Sequence, residues 1–350
     1  MCKPSDQQKM MSIGDIMKVK SNYDYSLSLI RFIATAFIVT CHITWYLDNE
    51  LAWWFNVGVQ IFLCMSGFLY GNRAKISDDL TFFKNNIIKI LVDYYVVVIS
   101  VMLLFAVFAP EEVSLTTAVK VLLTYGTLNG GGHLWYISYC LLCYFITPFL
   151  FRCFESSKHI VIAFSVIGIL AVVITEAFVD YFNAAWIFCY ILGFFLGHIL
   201  HRKKDKLFRA ASFLIVSAAV ILNTVQILQN YVLKSELTGI VALLYGRFCD
   251  YAHVFLGVSL FIIFRAAFLR VFKKGYPDFI QKLCRCSDKY SYDVYLVHQF
   301  VIFGPFSLMK CTGILAVNVV LVIVTIVACA IVVNFVSGLI KNRIKVAGKK

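Results

Sequence analysis

Charged residues are scarce in this sequence. Only 15% of the residues are charged, compared with about 25% in a typical soluble domain, while 61% are hydrophobic. The mean hydropathy is +0.83, so a globule surrounded by water could not bury this much apolar surface. The composition therefore excludes a soluble enzyme, a disordered chain and a collagen-like fibre. It predicts a chain whose main solvent is lipid.

The sequence also lacks the patterns of a metal site or a disulfide framework. Most of its 12 cysteines lie inside apolar runs, where cysteine behaves as a small hydrophobic residue. Cys140 and Cys143 have the spacing of a redox or zinc pair, but no second pair and no histidine at ligand spacing accompany them. We therefore interpret these cysteines as packing residues and predict neither a metal nor a bound cofactor.

Ten apolar segments, bounded by charge, proline or glycine, predict an all-α polytopic membrane protein with about ten transmembrane helices. The segments are about 26–47, 53–71, 87–109, 134–152, 160–179, 184–200, 208–231, 248–268, 289–309 and 314–340.

The distribution of basic residues predicts the orientation of these helices. If the N-terminus is cytoplasmic, 27 of the 32 lysines and arginines lie on the cytoplasmic side, Arg31 lies within the first segment, and only Lys120, Lys234, Arg247 and Lys310 lie outside. This asymmetry follows the positive-inside rule and places both termini in the cytoplasm. It also accounts for the net charge of +13 without nucleic acid. The predicted organisation is a cytoplasmic tail at 1–24, one membrane domain at 25–340 and a basic cytoplasmic tail at 341–350.

Two ionisable residues lie in the first segment, where lipid should exclude them. Arg31 and His42 are eleven residues apart, so they fall within about 20° of each other on one helix face and about 16 Å apart along its axis. They could be a functional pair, because ionisable groups inside membrane helices usually serve function. Alternatively, Arg31 extends to the inner headgroups and His42 caps a polar pocket.

The ninth segment predicts further polar side chains in the membrane interior. Spacings of four and three residues place Ser291, Tyr295 and His298 on one helix face. In the second segment, Ser66 and Gly67 allow a close backbone approach, which ordinary small-residue helix packing would also explain.

A glycine run at 130–132 precedes the fourth segment and leads directly into His133, Trp135 and Tyr136. The two aromatic residues are either site residues or interfacial anchors.

Charged residues near the cytoplasmic side offer two further expectations. Arg73, Lys75, Lys84 and Lys89 could hold a phosphate-rich ligand, or they could only satisfy the positive-inside rule. Asp93 and Asp293 are predicted counter-ions for buried cations.

Taken in order, these motifs resemble those of the integral-membrane acyltransferase-3 family, and the resemblance covers residues from about 22 to 340. The motifs are Arg31-x10-His42, Phe62-Leu63-Cys64-Met65-Ser66-Gly67-Phe68, a basic motif entering the third segment, His133-Leu134-Trp135-Tyr136, and Ser291-Tyr292-x-x-Tyr295-Leu296-x-His298.

The sequence departs from the family pattern at three points. Ser28 stands where the family usually has an acidic residue, and Asp93 replaces a proline that often follows the basic motif. The family's Arg-x-x-Arg motif appears as Asn86-Ile87-Ile88-Lys89. The family associates this motif with acyl-CoA, so the resemblance implies that Asn86 and Lys89 lie at the donor site. Arg73 and Lys84 of the basic cluster are the other expected donor contacts.

The resemblance implies an enzyme of the bacterial cytoplasmic membrane. Its expected reaction is transfer of an acyl group, usually acetyl from cytoplasmic acetyl-CoA, to a hydroxyl of a cell-envelope polysaccharide or a lipid-linked oligosaccharide. Expected partners are membrane lipids, acyl-CoA, the glycan acceptor and glycan-assembly proteins, with no nucleic acid.

Such a reaction would place His42 and Arg31 in the catalytic site. His42 could act as a general base or form a transient acyl-imidazole, and Arg31 could guide a phosphate or orient the thioester. The residues expected to line the acceptor pocket are Ser66, His133, Trp135, Tyr136, Ser291, Tyr295 and His298.

A different class of function also fits ten helices with internal charge. A flippase or exporter of a lipid-linked glycan would need no acyl transfer. A membrane scaffold for glycan assembly would explain the helices, but it gives no reason for Arg31 and His42 to share a face.

Overall fold

The computed structural model describes residues 23–73, 78–156, 158–177 and 183–347. These ranges form helices and their connections without any β-strand, which confirms the all-α prediction. The α-helices are α1 (Tyr25–Tyr46), α2 (Leu51–Phe55), α3 (Val57–Gly71), α4 (Asp79–Phe108), α5 (Leu115–Leu122), α6 (Trp135–Ser156), α7 (Ile160–Ala177), α8 (Ala184–His201), α9 (Asp205–Ile227), α10 (Gly239–Val271), α11 (Asp278–Ile302) and α12 (Leu315–Ala347).

Each of the ten predicted segments overlaps helical structure, but the ninth, 289–309, runs past the end of α11 at Ile302, and the second, 53–71, is divided between α2 and α3. Seven helical stretches in the described ranges are long and apolar enough to cross a membrane. The other predicted spans correspond to α7 and α8, whose apolar stretches are shorter, and to α11, whose first half is rich in charged residues. The count of ten spans and the orientation of the termini stay predictions.

Three helices begin well before their apolar segments indicated. Helix α4 begins at Asp79 instead of near 87, because the Asp78 carboxylate caps it by accepting a hydrogen bond from the Thr81 amide at 2.9 Å. Helix α10 begins at Gly239 instead of near 248, and helix α11 begins at Asp278 instead of near 289. Hydropathy alone misses such polar extensions because a helix does not end where its apolar run ends.

Helices α3 and α8 form the most extensive contact in the bundle. A Cβ atom on Gly67 would lie 2.1 Å from the Tyr190 carbonyl oxygen, and one on Gly193 would lie 2.1 Å from the Cys64 carbonyl oxygen. Only glycine permits this separation, so the small-residue packing interpretation of Gly67 is confirmed. The pair forms a rigid centre against which α1 and α10 pack.

Ion pairs connect helices at the end of the bundle opposite His42. Arg31 pairs with Asp288 of α11, and Arg265 of α10 pairs with Asp24 at 3.2 Å. Asp24 also caps α1 through the Ser26 amide. These contacts bring α1, α10 and α11 together where their polar ends meet.

The predicted role of Asp93 as a counter-ion is confirmed. Its buried carboxylate receives Lys341 of α12, with Nζ–O distances of 2.6 and 2.7 Å. Asp293 accepts a hydrogen bond from the Asn334 amide at 2.9 Å instead of pairing with a cation in the described residues. The pair of Asp93 with Lys341 therefore joins α4 to α12 inside the bundle.

Candidate active site

His42 lies at one end of the bundle, which we call the histidine end. The chain segments 47–50, 109–134 and 303–314 lie at the same end. Its Nδ1 atom lies 2.9 Å from the Ile38 carbonyl oxygen, one helical turn earlier, and 3.1 Å from Nε2 of His298. Nδ1 of His298 in turn lies 2.6 Å from the Tyr295 carbonyl oxygen. Helices α1 and α11 thus hold two buried imidazoles in direct contact.

The carbonyl partners determine which nitrogen of each ring bears the proton. A carbonyl oxygen only accepts hydrogen bonds, so Nδ1 of His298 and Nδ1 of His42 must both donate. In the neutral rings, Nε2 of His298 therefore accepts from His42, and Nε2 of His42 retains its lone pair. His42 consequently presents its Nε2 atom as a base or nucleophile.

His133 lies beside this pair but differs from it chemically. Its ring centroid is 4.7 Å from that of His298, while its Nδ1 and Nε2 atoms face the side-chain oxygen of Gln299 at 2.8 Å and the Leu296 carbonyl oxygen at 3.1 Å. The Tyr295 hydroxyl donates to the His133 carbonyl oxygen. Both ring nitrogens of His133 thus face protein oxygens, and the neutral ring can donate its single N–H to only one of them at a time. Neither nitrogen is left free for a substrate, which suits a positioning residue.

Glycine brings the loop before α6 close enough to place His133. Gly130 has a φ of +73°, and a Cβ atom there would lie 2.7 Å from the Phe303 carbonyl oxygen at the end of α11. Gly304 has a φ of +76° and contacts the same loop. The predicted glycine run is therefore explained by a close backbone approach at a left-handed position.

A cavity of about 560 Å³ opens beside these histidines. Its volume lies within the range of small-molecule sites, about 300–1,000 Å³. The ring of Trp135 packs 4.7 Å from that of Trp186, which provides an aromatic wall. The lining residues are Cys41, His42, Trp45, Ala52, Trp53, Asn56, Val59, His133, Trp135, Tyr139, Trp186 and Tyr295.

The structure brings together the predicted residues of three separate motifs. His42, His133, Trp135 and Tyr295 line the cavity, and His298 lies directly behind His42. Tyr136 packs behind the wall with its ring 5.0 Å from that of Tyr295.

Ser66 and Ser291 lie away from the cavity. Ser66 is about two turns further along α3 than Val59, which lines the cavity. Ser291 instead lines a separate cavity of about 370 Å³ between α1, α11 and α12, which extends along α1 from Phe32 to Ile43.

A model of the acyltransferase-3 family, described as an acyltransferase domain, matches residues 24–336. The chain belongs to the acyltransferase-3 family. This membership confirms the resemblance seen in the motifs and supports membrane acyl transfer. Neither a search of curated proteins nor a search of solved structures found a match to this chain.

The tertiary structure explains how this acyltransferase-3 protein tolerates Ser28 at the usually acidic position. Asp288 of α11 accepts hydrogen bonds from the Ser28 hydroxyl at 2.8 Å and from Tyr23, and it pairs with Arg31. A carboxylate from another helix thus balances the charge of Arg31, although Ser28 itself carries none. No signal in the sequence connected positions 28 and 288.

The altered basic motif of this acyltransferase-3 protein is only partly exposed. Asn86 is buried, accepts a hydrogen bond from the Tyr70 hydroxyl at 2.7 Å and donates to the Phe82 carbonyl oxygen. Arg73 stacks on the Tyr70 ring at 4.5 Å, whereas Lys84 and Lys89 are exposed. Lys75 lies outside the described residues.

Sequence reasoning missed several residues of the site. Gln299 directly follows the predicted His298 yet was not selected, although its side chain holds His133 through the backbone N–H at 2.6 Å as well as through the ring. Trp53 and Trp186 were read as part of apolar segments. The sequence offered one signal for Gln299: it is a polar residue within an apolar segment, directly beside His298.

Proposed function

We propose that this acyltransferase-3 protein transfers acetyl from cytoplasmic acetyl-CoA to a hydroxyl of a cell-envelope glycan in the bacterial cytoplasmic membrane. The proposal rests above all on one observation: His42 lines an aromatic cavity while its Nδ1 atom contacts the Ile38 carbonyl oxygen. That contact assigns the proton to Nδ1 and leaves the lone pair on Nε2. Aromatic walls suit the apolar faces of sugar rings, and a neutral imidazole is a suitable base near pH 7.

In the proposed reaction, Nε2 of His42 removes the proton of the acceptor hydroxyl as its oxygen attacks the thioester carbon. The C–O bond forms, the C–S bond breaks, and the departing sulfur of CoA takes the proton back from His42. His298 accepts the Nδ1–H bond of His42 throughout, so the ring keeps its orientation while Nε2 gains and loses the proton. His133 and Gln299 position α6 against α11 beside the reacting group.

The donor is proposed to enter from the opposite end of the bundle. The exposed cations Arg73, Lys84 and Lys89 would contact the CoA phosphates through charge-assisted hydrogen bonds. The pantetheine arm would follow the apolar cavity along α1, which runs from Phe32, next to Arg31 in the sequence, to Ile43, next to His42. Asn86 would contribute indirectly by fixing Tyr70 beneath Arg73.

Replacing His42 by alanine in the producing cells tests this function. We expect the variant to lose about 10²-fold to 10⁴-fold of its transfer rate, the usual contribution of a general base. Acetyl groups on the envelope glycan would be counted by mass spectrometry, with normal glycan amount and export. The matched control is His159→Ala, which removes an exposed histidine.

The same experiment separates the enzyme from a glycan exporter. Unchanged acetylation in the His42→Ala strain would refute the proposed mechanism. Loss of surface glycan, with the cellular glycan retaining its acetyl groups, would favour the flippase or exporter instead.

A trapping experiment distinguishes the two possible roles of His42. Direct attack by Nε2 on the thioester would leave a transient acyl-imidazole, with CoA released before the acceptor arrives. Incubating the purified protein with radiolabelled acetyl-CoA alone and denaturing it rapidly would then yield labelled protein in the wild type and none in His42→Ala. We expect no label, because the proposed transfer is direct.

A further inference from the structure

A second cavity, of about 870 Å³, lies at the histidine end between α2, α9 and α10. Trp53 is in the walls of both this cavity and the histidine cavity. A molecule that occupies both would therefore pass the Trp53 side chain.

The walls of the second cavity combine aromatic, amide and carboxylate side chains. Tyr231 and Tyr245 provide aromatic surface, and Gln226 and Asn230 provide amides. Such a wall offers flat apolar contact together with many hydrogen-bonding groups. A polyhydroxylated ring has both properties, whereas a fatty-acyl chain would leave the polar groups without partners.

Two polar atoms in these walls are buried without a hydrogen-bond partner among the described residues. They are the side-chain oxygen of Gln226, a residue that is only 1% exposed, and Nε1 of Trp53. Buried polar groups normally have partners, so each such atom requires an explanation. Both residues line the cavity, so rotation of each side chain would bring its buried polar atom to a ligand. A ligand hydroxyl would then satisfy the amide oxygen, and a ligand oxygen would accept from the indole N–H.

The charges around this cavity favour a neutral ligand. Glu50 and Asp250 contribute two carboxylates, and Arg247 lies 3.9 Å from Asp250, so its charge is already matched. Asn183 also donates to Asp250 at 2.7 Å. A phosphate or an acidic sugar would meet net negative charge here, while neutral hydroxyls can donate to the carboxylates.

We propose that the second cavity binds neutral sugar units that adjoin the acetylated unit of an oligosaccharide acceptor. The inference rests on the proposed function, because it assumes that the acceptor hydroxyl meets His42 in the neighbouring cavity. It assigns the acceptor to the class of neutral oligosaccharides with at least two units, one on each side of Trp53. A single sugar would use only the histidine cavity.

Binding measured without acyl donor tests this proposal separately from catalysis. The probes are de-O-acetylated fragments of the producing cell's own envelope glycan, sized to one and four sugar units. Their affinities for the full-length protein in lipid nanodiscs would be measured by calorimetry. We expect the four-unit fragment to bind at least about tenfold more tightly than the single unit.

Two substitutions then test the assigned residues. Gln226→Leu removes the buried amide, and Glu50→Ala removes an exposed carboxylate, a change at the surface that the fold tolerates. Each should reduce the preference for the four-unit fragment several-fold. The matched control is Gln229→Leu, because the Gln229 side chain bonds to Ser235 instead of lining the cavity.

Each outcome of these binding measurements either supports or overturns the proposed oligosaccharide site. Equal affinity for both fragments, or a preference that neither substitution reduces, would overturn the inference. Copurification of a phospholipid that Gln226→Leu displaces, without any fragment binding, would identify a lipid site and also overturn it. The protein could bind the longer fragment more tightly, lose this preference in both variants, and yet transfer no acetyl group. That result would support the oligosaccharide site and refute the proposed acetyltransferase function.

Discussion

At the scale of single residues, the Ile38 carbonyl group determines how His42 can react. It lies one helical turn before His42 and accepts from Nδ1, and His298 accepts from the same Nδ1–H group. The first contact follows from helix geometry within α1, since the i−4 carbonyl lies beneath each side chain. The second depends on α11 and could not be predicted from the α1 sequence.

Replacing His298 by phenylalanine tests its positioning role. The variant would retain an aromatic ring but lose the acceptor for Nδ1 of His42, a hydrogen bond worth about 1 kcal/mol. We expect kcat to fall at least about fivefold while KM for the acceptor changes little. His298→Gln, which keeps an acceptor, should recover part of the rate. A change confined to KM would contradict the positioning role.

Arg31, which the sequence predicts to be a catalytic residue, also forms an ion pair between two helices. Its guanidinium is bound to Asp288, and both side chains are about one-quarter exposed, at 25% and 24%. Helix periodicity correctly predicts the face shared with His42, but it gives no information about a partner 257 positions away.

The Arg31–Asp288 pair should contribute measurably to stability. Exposed ion pairs contribute about 0–1 kcal/mol, whereas breaking a buried pair costs about 3–5 kcal/mol. We therefore expect Arg31→Gln and Asp288→Asn each to lower the free energy of unfolding by about 1–3 kcal/mol. Thermal unfolding in detergent would measure the changes. Strictly additive losses in the double variant would show that the two side chains do not interact.

At the scale of helices, the packing of α3 on α8 sets the framework for the site. Gly67 and Gly71 of α3 and Gly193 and Gly197 of α8 each meet the backbone of the other helix. The spacing of four residues is visible in the sequence, but only the structure shows that these two stretches are partners. Because α1 packs on α3, an error in this contact would displace His42.

Adding one methyl group should show how tightly α3 and α8 pack. Gly193→Ala would place a Cβ atom 2.1 Å from the Cys64 carbonyl oxygen, so the helices must separate at a cost of about 1–3 kcal/mol or more. Gly246→Ala is the matched control, since its Cβ atom would meet nothing within 4 Å inside α10. We expect a clear loss of Tm for the first substitution and a neutral or slightly raised Tm for the second. Equal effects would contradict the packing argument.

At the scale of the whole molecule, the charge distribution and the site predict the same orientation. Among the described residues, the histidine end bears few cations, and the opposite end bears Arg73 after α3 and Arg202, Lys203 and Lys204 between α8 and α9. If the opposite end is cytoplasmic, the proposed acetyl-CoA donor would reach the exposed lysines from the cytoplasm, and the proposed glycan acceptor would reach the aromatic cavities from outside.

Cysteine labelling in right-side-out vesicles tests this orientation. Cys311, exposed in the connection between α11 and α12, should react with a membrane-impermeant maleimide. Lys274→Cys in a Cys311→Ser background places a thiol in the exposed connection between α10 and α11 and should react only after permeabilisation. The reverse pattern would invert the topology and place the histidine cavity in the cytoplasm.

The amino-acid sequence by itself determined the class of the molecule. The scarcity of charged residues indicated a membrane protein, and the apolar runs located its helices. His42, together with the His133 and His298 motifs, identified the family. These properties follow from local composition and helix periodicity. Only the tertiary structure decided which residues meet: His42 with His298, Arg31 with Asp288, Gln299 with His133, and Trp53 between two cavities. The physical reason is that such contacts depend on how helices distant in sequence pack, and apolar surface in lipid does not prescribe one neighbour over another.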